Sequence, residues 1–202
     1  MSAPSSPLAP RPRAQSAAAT GPRPQALAAF ELATISVGVQ VADQVAKTAA
    51  VDLLFAEPVS PGKFVVVFGG SVGEVTASYR RGAEIAGSAL LDQLLLPQCH
   101  PDVFAALEGL AQGPAGEALG VIETDAIPAT LLAADKAVKT APVKLRVIRL
   151  ANGLGGKGFV YLDGTVSDVN AAVNAARTIA GPRLVDATVI ARLAEAVRDR
   201  LY

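Results

Sequence analysis

The chain has very few of the residues that carry redox, metal or nucleophilic chemistry. It contains one cysteine, one histidine and no tryptophan among 202 residues. One cysteine cannot form an internal disulfide, which favours a reducing cytosol as the compartment. Cys99 and His100 are adjacent, and no further cysteine or histidine exists to complete a metal site. We therefore expect no metal site, no cofactor and no catalytic residues.

An excess of charge of one sign and a long apolar run are also missing. The 18 basic and 18 acidic residues give a formal net charge of zero, which offers no argument for a nucleic acid or a membrane as partner. No apolar run approaches the roughly 18 residues that a membrane-spanning helix needs. Residues 1–25 are rich in Pro, Ala and Arg and lack the apolar core of a secretory signal. We interpret them as a disordered tail, with a transit peptide as the alternative.

The sequence does contain an internal repeat with a period of about 93 residues. The run 41–49 returns as 133–141, and 70–72 returns as 164–166. The offset is 92 residues before a glycine-rich loop and 94 after it, so the second copy contains two more residues near that loop. Each copy is large enough to be a small domain. We infer domains at 26–109 and 118–202, joined by a Gly- and Pro-containing linker at 110–117.

Both copies show the same order of secondary-structure patterns. A strand is followed by an Ala-rich amphipathic helix, predicted at Val37–Ala49 and Ile127–Thr140. Two strands then flank the glycine-containing loop. Ser71 and Glu74 form a capping-box pattern for a second helix, which precedes a last strand and a short helix. The order βαββαβ-α predicts an α/β chain of the α+β type, with two ferredoxin-like domains that each pack helices on an antiparallel sheet.

The glycine-rich loop of the second copy, residues 153–158, matches the pattern G-x-G-x-x-G. That pattern binds dinucleotides when a helix follows it, but here a strand follows, so we do not expect a nucleotide site. A Walker A loop is excluded because Gly158 follows Lys157. Two interpretations remain. The segment is a flexible hairpin loop, or it lines a pore at a symmetry axis, where amides and a lysine attract small polar or anionic solutes.

Several segments of both copies resemble the shell domain of bacterial microcompartments (BMC), and the resemblance covers about residues 27–200. Two BMC domains in one chain define a tandem class whose members form trimers that mimic the hexamers of single-domain relatives. The unpermuted strand order is similar to the propanediol-utilisation type rather than to circularly permuted tandem proteins. The segments that carry the resemblance are Glu31–Ser36, Ala42-Asp43-x-x-x-Lys47, Ser60–Phe64, Leu94–His100, Gly155–Lys157 and Val189–Arg192.

The resemblance also implies a central pore. Members of the propanediol-utilisation type bind an iron–sulfur cluster at a loop that reads Cys-Pro-Gly-Lys-Phe, whereas this chain has Ser60 in the place of the cysteine. Because such clusters need thiolate ligands, we expect none here and predict a polar passage for small metabolites instead. The alternative that Ser60 is merely a turn residue stays open. The implied pore-lining residues are Ser60, Pro61 and Gly62 of one copy, and Leu154, Gly155 and Gly156 of the other.

Two Asp–Lys pairs are candidates for contacts at the edge of the shell unit. Asp43 precedes Lys47 by four residues, and Asp135 precedes Lys139 by four, so each pair shares one helix face. The resemblance implies that both lysines lie at junctions between neighbouring hexamers or trimers. It also matches Arg192 with an edge arginine, which Gln98 replaces in the first copy.

The resemblance thus implies a structural shell protein that is not an enzyme, located in a cytoplasmic microcompartment. Its expected partners are two further copies in a pseudohexameric homotrimer, single-domain hexamers, pentameric vertex proteins, and small metabolites in the pore, with no nucleic acid or membrane. Two alternatives remain. One is a tandem ferredoxin-like regulator that binds a small metabolite, and the other is a shell protein with an electron-transfer role.

Overall fold

The computed structural model of the chain describes residues 24–110, 113–151 and 153–201. Nearly all of the predicted tail, residues 1–23, lies outside them. The first copy of the repeat forms β1 (Ala26–Leu32), α1 (Ile35–Thr48), β2 (Asp52–Val59), β3 (Lys63–Gly70), α2 (Val72–Ala86), β4 (Leu90–Leu96) and α3 (Pro101–Leu107). The second copy forms β5 (Ala118–Thr124), α4 (Ile127–Thr140), β6 (Lys144–Leu150), β7 (Gly158–Gly164), α5 (Val166–Ala180), β8 (Leu184–Ile190) and α6 (Glu195–Leu201).

Each copy folds into a four-stranded sheet. The strand orders are β2-β3-β1-β4 and β6-β7-β5-β8, and all neighbouring strands are antiparallel. The copies agree in detail, because β2 and β6 shift register at equivalent positions against their neighbours. The predicted α+β fold, an antiparallel sheet with packed helices occurring twice, is confirmed.

The first strand of the first copy, β1, is covered on both of its faces. Every residue of β1 is buried. Alternate residues of a strand point to opposite faces, and here Ala28 and Phe30 pack with Val41 of α1 in the core of their own domain. Leu27 and Ala29, on the opposite face, belong to a core that includes residues of the second copy. The two domains therefore pack against each other through a shared apolar core.

Helix α4 is the central element of that shared core. It packs against its own sheet and also against β1 and β4 of the first domain. Helix α3, the last element of the first domain, packs in turn against β6 of the second. Each domain thus places a helix on the other. Burying apolar surface in this way contributes roughly 25 cal/mol per Å² removed from water, so the domain contact is part of the fold.

The linker is held by a buried ion pair of the second domain. Arg146 on β6 donates from Nε to Asp163 on β7 at 2.7 Å, and both side chains are almost fully buried. The same guanidinium donates to the carbonyl oxygens of Gly113 and Pro114. Asp163 also accepts the Gly116 N–H at 2.9 Å. The backbone of Gly113, Pro114 and Gly116 in the linker therefore has hydrogen-bond partners on the sheet that follows it.

The start of α2 agrees with its capping-box pattern, whereas some other boundaries differ from the predictions. Ser71 and Glu74 form both hydrogen bonds of a capping box. Helix α1 runs over Ile35–Thr48 rather than 37–49. Short 3-10 turns at Gly87–Ala89 and Gly181–Arg183 follow α2 and α5 and were not predicted. Each begins at a glycine with positive φ, and three residues are too few to give a periodic pattern.

Candidate functional site

The two loops predicted to line a pore lie side by side. One joins β2 to β3 through Ser60, Pro61 and Gly62, and the other joins β6 to β7 through Gly153–Lys157. A Cβ atom added to Gly156 would lie 2.8 Å from the Ser60 carbonyl oxygen, a distance that real Cβ atoms do not adopt. Gly156 also has a φ of 85°, which favours glycine. The two backbones therefore meet at a point where no side chain fits.

Most of the predicted pore-lining residues are accessible in the single chain. Ser60, Pro61, Gly62 and Gly155 are exposed, and Leu154 is partly buried. Gly156 is buried because it faces the Ser60 loop. Apart from Leu154, the accessible groups are backbone amides and carbonyls, a hydroxyl and a proline ring. The arrangement presents a small polar surface without a thiol.

A buried carboxylate behind these loops joins the two domains. Glu31 on β1 accepts a hydrogen bond from Lys63 at 2.6 Å. Its second oxygen accepts the backbone N–H of Ile127, the first residue of α4, at 2.9 Å. The positive end of a helix dipole favours such a carboxylate. Glu31 thus acts as the cap that Ala126 cannot supply, since alanine has no hydrogen-bonding side chain.

The equivalent carboxylate of the second domain has no such helix beside it in the described structure. Glu123 pairs with Lys157 at 2.7 Å and remains partly exposed. Sequence reasoning missed both carboxylates. The available signal was the repeat itself, because Glu31 and Glu123 occupy equal positions, as do Lys63 and Lys157.

Both predicted Asp–Lys pairs form, but their surroundings differ. Lys47 contacts Asp43 at 2.7 Å on an exposed face of α1, and its hydrogen bond lowers the pKa of Asp43. Lys139 contacts Asp135 at 2.6 Å and also donates to the Gln98 carbonyl oxygen of the first domain. Asp135 is buried and accepts the backbone N–H of residue 100 at 2.8 Å. The second pair therefore lies at the contact between the domains of one chain.

Arg192 and the Cys99–His100 dipeptide complete the set of candidates. Arg192 is exposed just after β8. Burial raises the pKa of the Cys99 thiol to about 12, with a further contribution from the charge of Asp135. A thiol with that pKa is protonated at neutral pH and is a poor metal ligand. The Nδ1 atom of His100 accepts the Asp102 N–H at 3.3 Å, so this imidazole caps α3.

No group of three or more His, Cys, Asp or Glu side chains within residues 24–110, 113–151 and 153–201 is placed to hold a metal ion. None of the described helices combines the length and the apolar character needed to cross a bilayer. A groove of about 570 Å³ in the first domain is lined in part by Pro24, Gln25, Val72 and Cys99. It offers no cluster of charged groups that would orient a metabolite.

The chain is similar to known proteins of bacterial microcompartments and carboxysomes. The family model for the BMC domain matches twice, at residues 26–99 and 118–193. The bacterial microcompartment shell protein PduT of Citrobacter freundii is 40% identical over 170 residues, which cover 83% of this chain and 92% of that protein. The carboxysome assembly protein CcmO of Synechocystis is 29% identical over 178 residues, covering 81% of this chain and 59% of that protein.

Solved structures show the same architecture. A microcompartment protein from Desulfitobacterium hafniense superposes with a TM-score of 0.80 and 38% identity, covering 87% of this chain and 98% of that one. A fused, permuted hexameric shell protein superposes with a TM-score of 0.54 and 24% identity, covering 77% of this chain and 80% of that one. The second similarity concerns the fold alone.

Proposed function

This chain belongs to the BMC-domain family, and on that premise we propose that it is a structural component of a microcompartment shell. The observation that carries the proposal is the double match of the family model to two complete sheets. The 40% identity to a shell protein over most of both chains supports it. In this role the chain is not an enzyme, and it is located in the shell. The same proposal includes two domains at 26–109 and 118–202, joined by a linker at 110–117.

The proposed working form is a homotrimer that imitates a hexamer of single domains. Three chains provide six domains, and the loops containing Ser60 and Gly156 then alternate around one axis. The two loops already lie in close contact within one chain, where the Gly156 backbone is next to the Ser60 carbonyl oxygen. This contact supports the proposed arrangement. Such a trimer tiles a shell facet with single-domain hexamers, while pentameric proteins close the vertices.

The central opening of that trimer is the proposed passage for small polar metabolites. Its lining consists of Ser60, Pro61 and Gly62 from one domain and Leu154, Gly155 and Gly156 from the other. Ser60 supplies a hydroxyl where a cluster-binding relative would supply a thiolate. Electron transfer is therefore the weaker alternative, since Cys99, the one thiol of the chain, is buried and protonated.

The edges of the trimer are proposed to carry Asp43–Lys47, Asp135–Lys139 and Arg192. The Lys47 ammonium is well exposed, and that of Lys139 is partly exposed even though it donates to the Gln98 carbonyl. Both can therefore reach a neighbouring unit. Because Gln98 stands where the second copy has Arg192, the two kinds of edge differ in charge.

The assembly is tested by mass and by electron microscopy of the purified chain. Sedimentation should give about 60 kDa, three times the 20.5 kDa of one chain, and concentrated samples should form hexagonal sheets. A stable monomer would refute the trimer. Lys47→Ala should reduce sheets while leaving the trimer intact, and Lys136→Ala, on an exposed position of α4, is the matched control. Saturable binding of a metabolite to a non-assembling protein would instead favour the regulator.

A further inference from the structure

The lysine that follows each pore loop is held by a carboxylate on the adjacent strand. Lys63, at the start of β3, lies 2.6 Å from Glu31 on β1. Lys157, at the equivalent place beside β7, lies 2.7 Å from Glu123 on β5. The Lys63 Nζ atom is also close to the loops, because a Cβ atom added to Gly156 would lie 3.7 Å from it. Each loop is therefore backed by a cation that already has its counter-ion.

A further pair of charges near the loops is balanced as well. Glu57 on β2 and Arg149 on β6 occupy equivalent positions of the repeat, 92 residues apart. Both are exposed, and both lie on the strands that lead into the two loops. Residues 58–62 and 150–156 contain no charged side chain. The acidic and basic side chains that surround the two loops of one chain, three of each sign, therefore sum to zero.

Backbone amides are the other feature of a glycine-rich loop that attracts an anion, and some of them are used within the loops themselves. The Gly62 N–H donates to the Val59 carbonyl oxygen at 2.9 Å. The Leu154 N–H donates to the Ala151 carbonyl oxygen at 3.0 Å. Pro61 has no N–H to donate. Fewer donors therefore face a solute than the glycine-rich sequence suggests.

We propose that Glu31 and Glu123 set the selectivity of the passage by cancelling the charges of Lys63 and Lys157. A ring of lysines without counter-ions would select anions, because it raises their concentration at the opening. With both sets of lysines neutralised, the passage favours uncharged solutes that carry hydroxyl or carbonyl groups over carboxylates and phosphates. This inference rests on the proposed trimer and its pore, and it names the class of solute that the pore admits.

Paramagnetic relaxation of the backbone amides in the full-chain trimer tests the inference. Two nitroxide probes of equal size, one uncharged and one with a carboxylate, are compared at the amides of Gly62 and Gly155. In the wild type the two probes should give equal enhancements. Glu31→Gln leaves the Lys63 ammonium uncompensated within a Debye length, about 8 Å, of the loops. Three such cations around the axis should raise the ratio of anionic to neutral enhancement about two- to threefold.

Lys157→Gln decides the case in which Glu31→Gln, which also weakens the bond to the N-terminus of α4, forms no trimer. The Lys157 side chain is half exposed, and its loss leaves Glu123 unpaired, so the ratio should fall about two- to threefold. Glu117→Gln is the matched control, because Glu117 is exposed at the opposite end of β5 from the loop. It should leave the ratio unchanged.

Two results would overturn the inference while the proposed shell role survives. One is an anionic probe that is already enriched severalfold at the loops of the wild-type trimer. The other is a ratio that stays unchanged in a trimeric Glu31→Gln or Lys157→Gln variant. A monomeric wild type would instead overturn the proposed trimer, and the inference with it.

Discussion

Replacement of Arg146 by leucine should destabilise the chain strongly, because it leaves a buried carboxylate without its cation. The Arg146 guanidinium bonds Asp163 at 2.7 Å and also holds the Gly113 and Pro114 carbonyls of the linker. Asp163 would keep one partner, the Gly116 N–H. Breaking a buried ion pair by removing one member costs about 3–5 kcal/mol.

That free energy corresponds to a clear shift in thermal stability. For a chain of this size each kcal/mol changes Tm by about 2–4 °C, so Arg146→Leu should lower Tm by roughly 6 °C or more. The double variant Arg146→Leu/Asp163→Leu removes both charges together. It should therefore be no less stable than the single variant, with a coupling free energy of about 3 kcal/mol in the double-mutant cycle.

Scanning calorimetry of the wild type, Arg146→Leu, Asp163→Leu and the double variant at one concentration measures the effect. Arg149→Leu is the matched control, because Arg149 lies on the same strand and is exposed. It should change stability by less than about 0.5 kcal/mol. The reasoning fails if Arg146→Leu and Arg149→Leu melt alike, or if the two single effects simply add in the double variant.

Three shorter predictions concern other parts of the chain. The buried Cys99 thiol, with a pKa of about 12, should react negligibly with a disulfide reagent at pH 8 until denaturant is added; fast reaction in the native state would contradict its burial. Gly38→Ala should lower Tm, because a Cβ there would lie 2.2 Å from the Phe64 ring, while Gly73→Ala, with no described atom within 4 Å, should not. Ser60→Cys, reconstituted anaerobically with iron and sulfide, should turn brown and retain iron, whereas the wild type should not; a colourless variant would argue against loops that converge on an axis.

The internal repeat was the strongest structural signal in the sequence. Each strand and helix predicted in one copy was also predicted at the equivalent position of the other copy. Equal patterns at separations of 92 and 94 residues left little freedom in the order of elements. The Ser71 capping box marked the start of α2 for a local reason, namely that its two hydrogen bonds join residues three apart. Signals of this local kind were confirmed.

Contacts between residues that are far apart in the sequence could not be predicted from such local patterns. The bond from Ile127 to Glu31 spans 96 residues, and no short pattern marks either partner. The same holds for Arg146 and the linker carbonyls. The pairing of Asp135 with Lys139 was predicted from spacing, but its place beside Gln98 depends on how two domains pack. The roles of the pore and edge residues remain predictions that assembly experiments must test.

The shared core between the domains has a consequence for how the proposed trimer responds to dilution. Inside one chain the two domains meet at an effective concentration set by a short, pinned linker, so lowering the protein concentration does not separate them. Dilution acts on the contact between chains alone. The proposed ring of three such chains contains three contacts between molecules, where a ring of six separate domains would contain six. Each molecule therefore begins assembly with one of its two domain contacts already made.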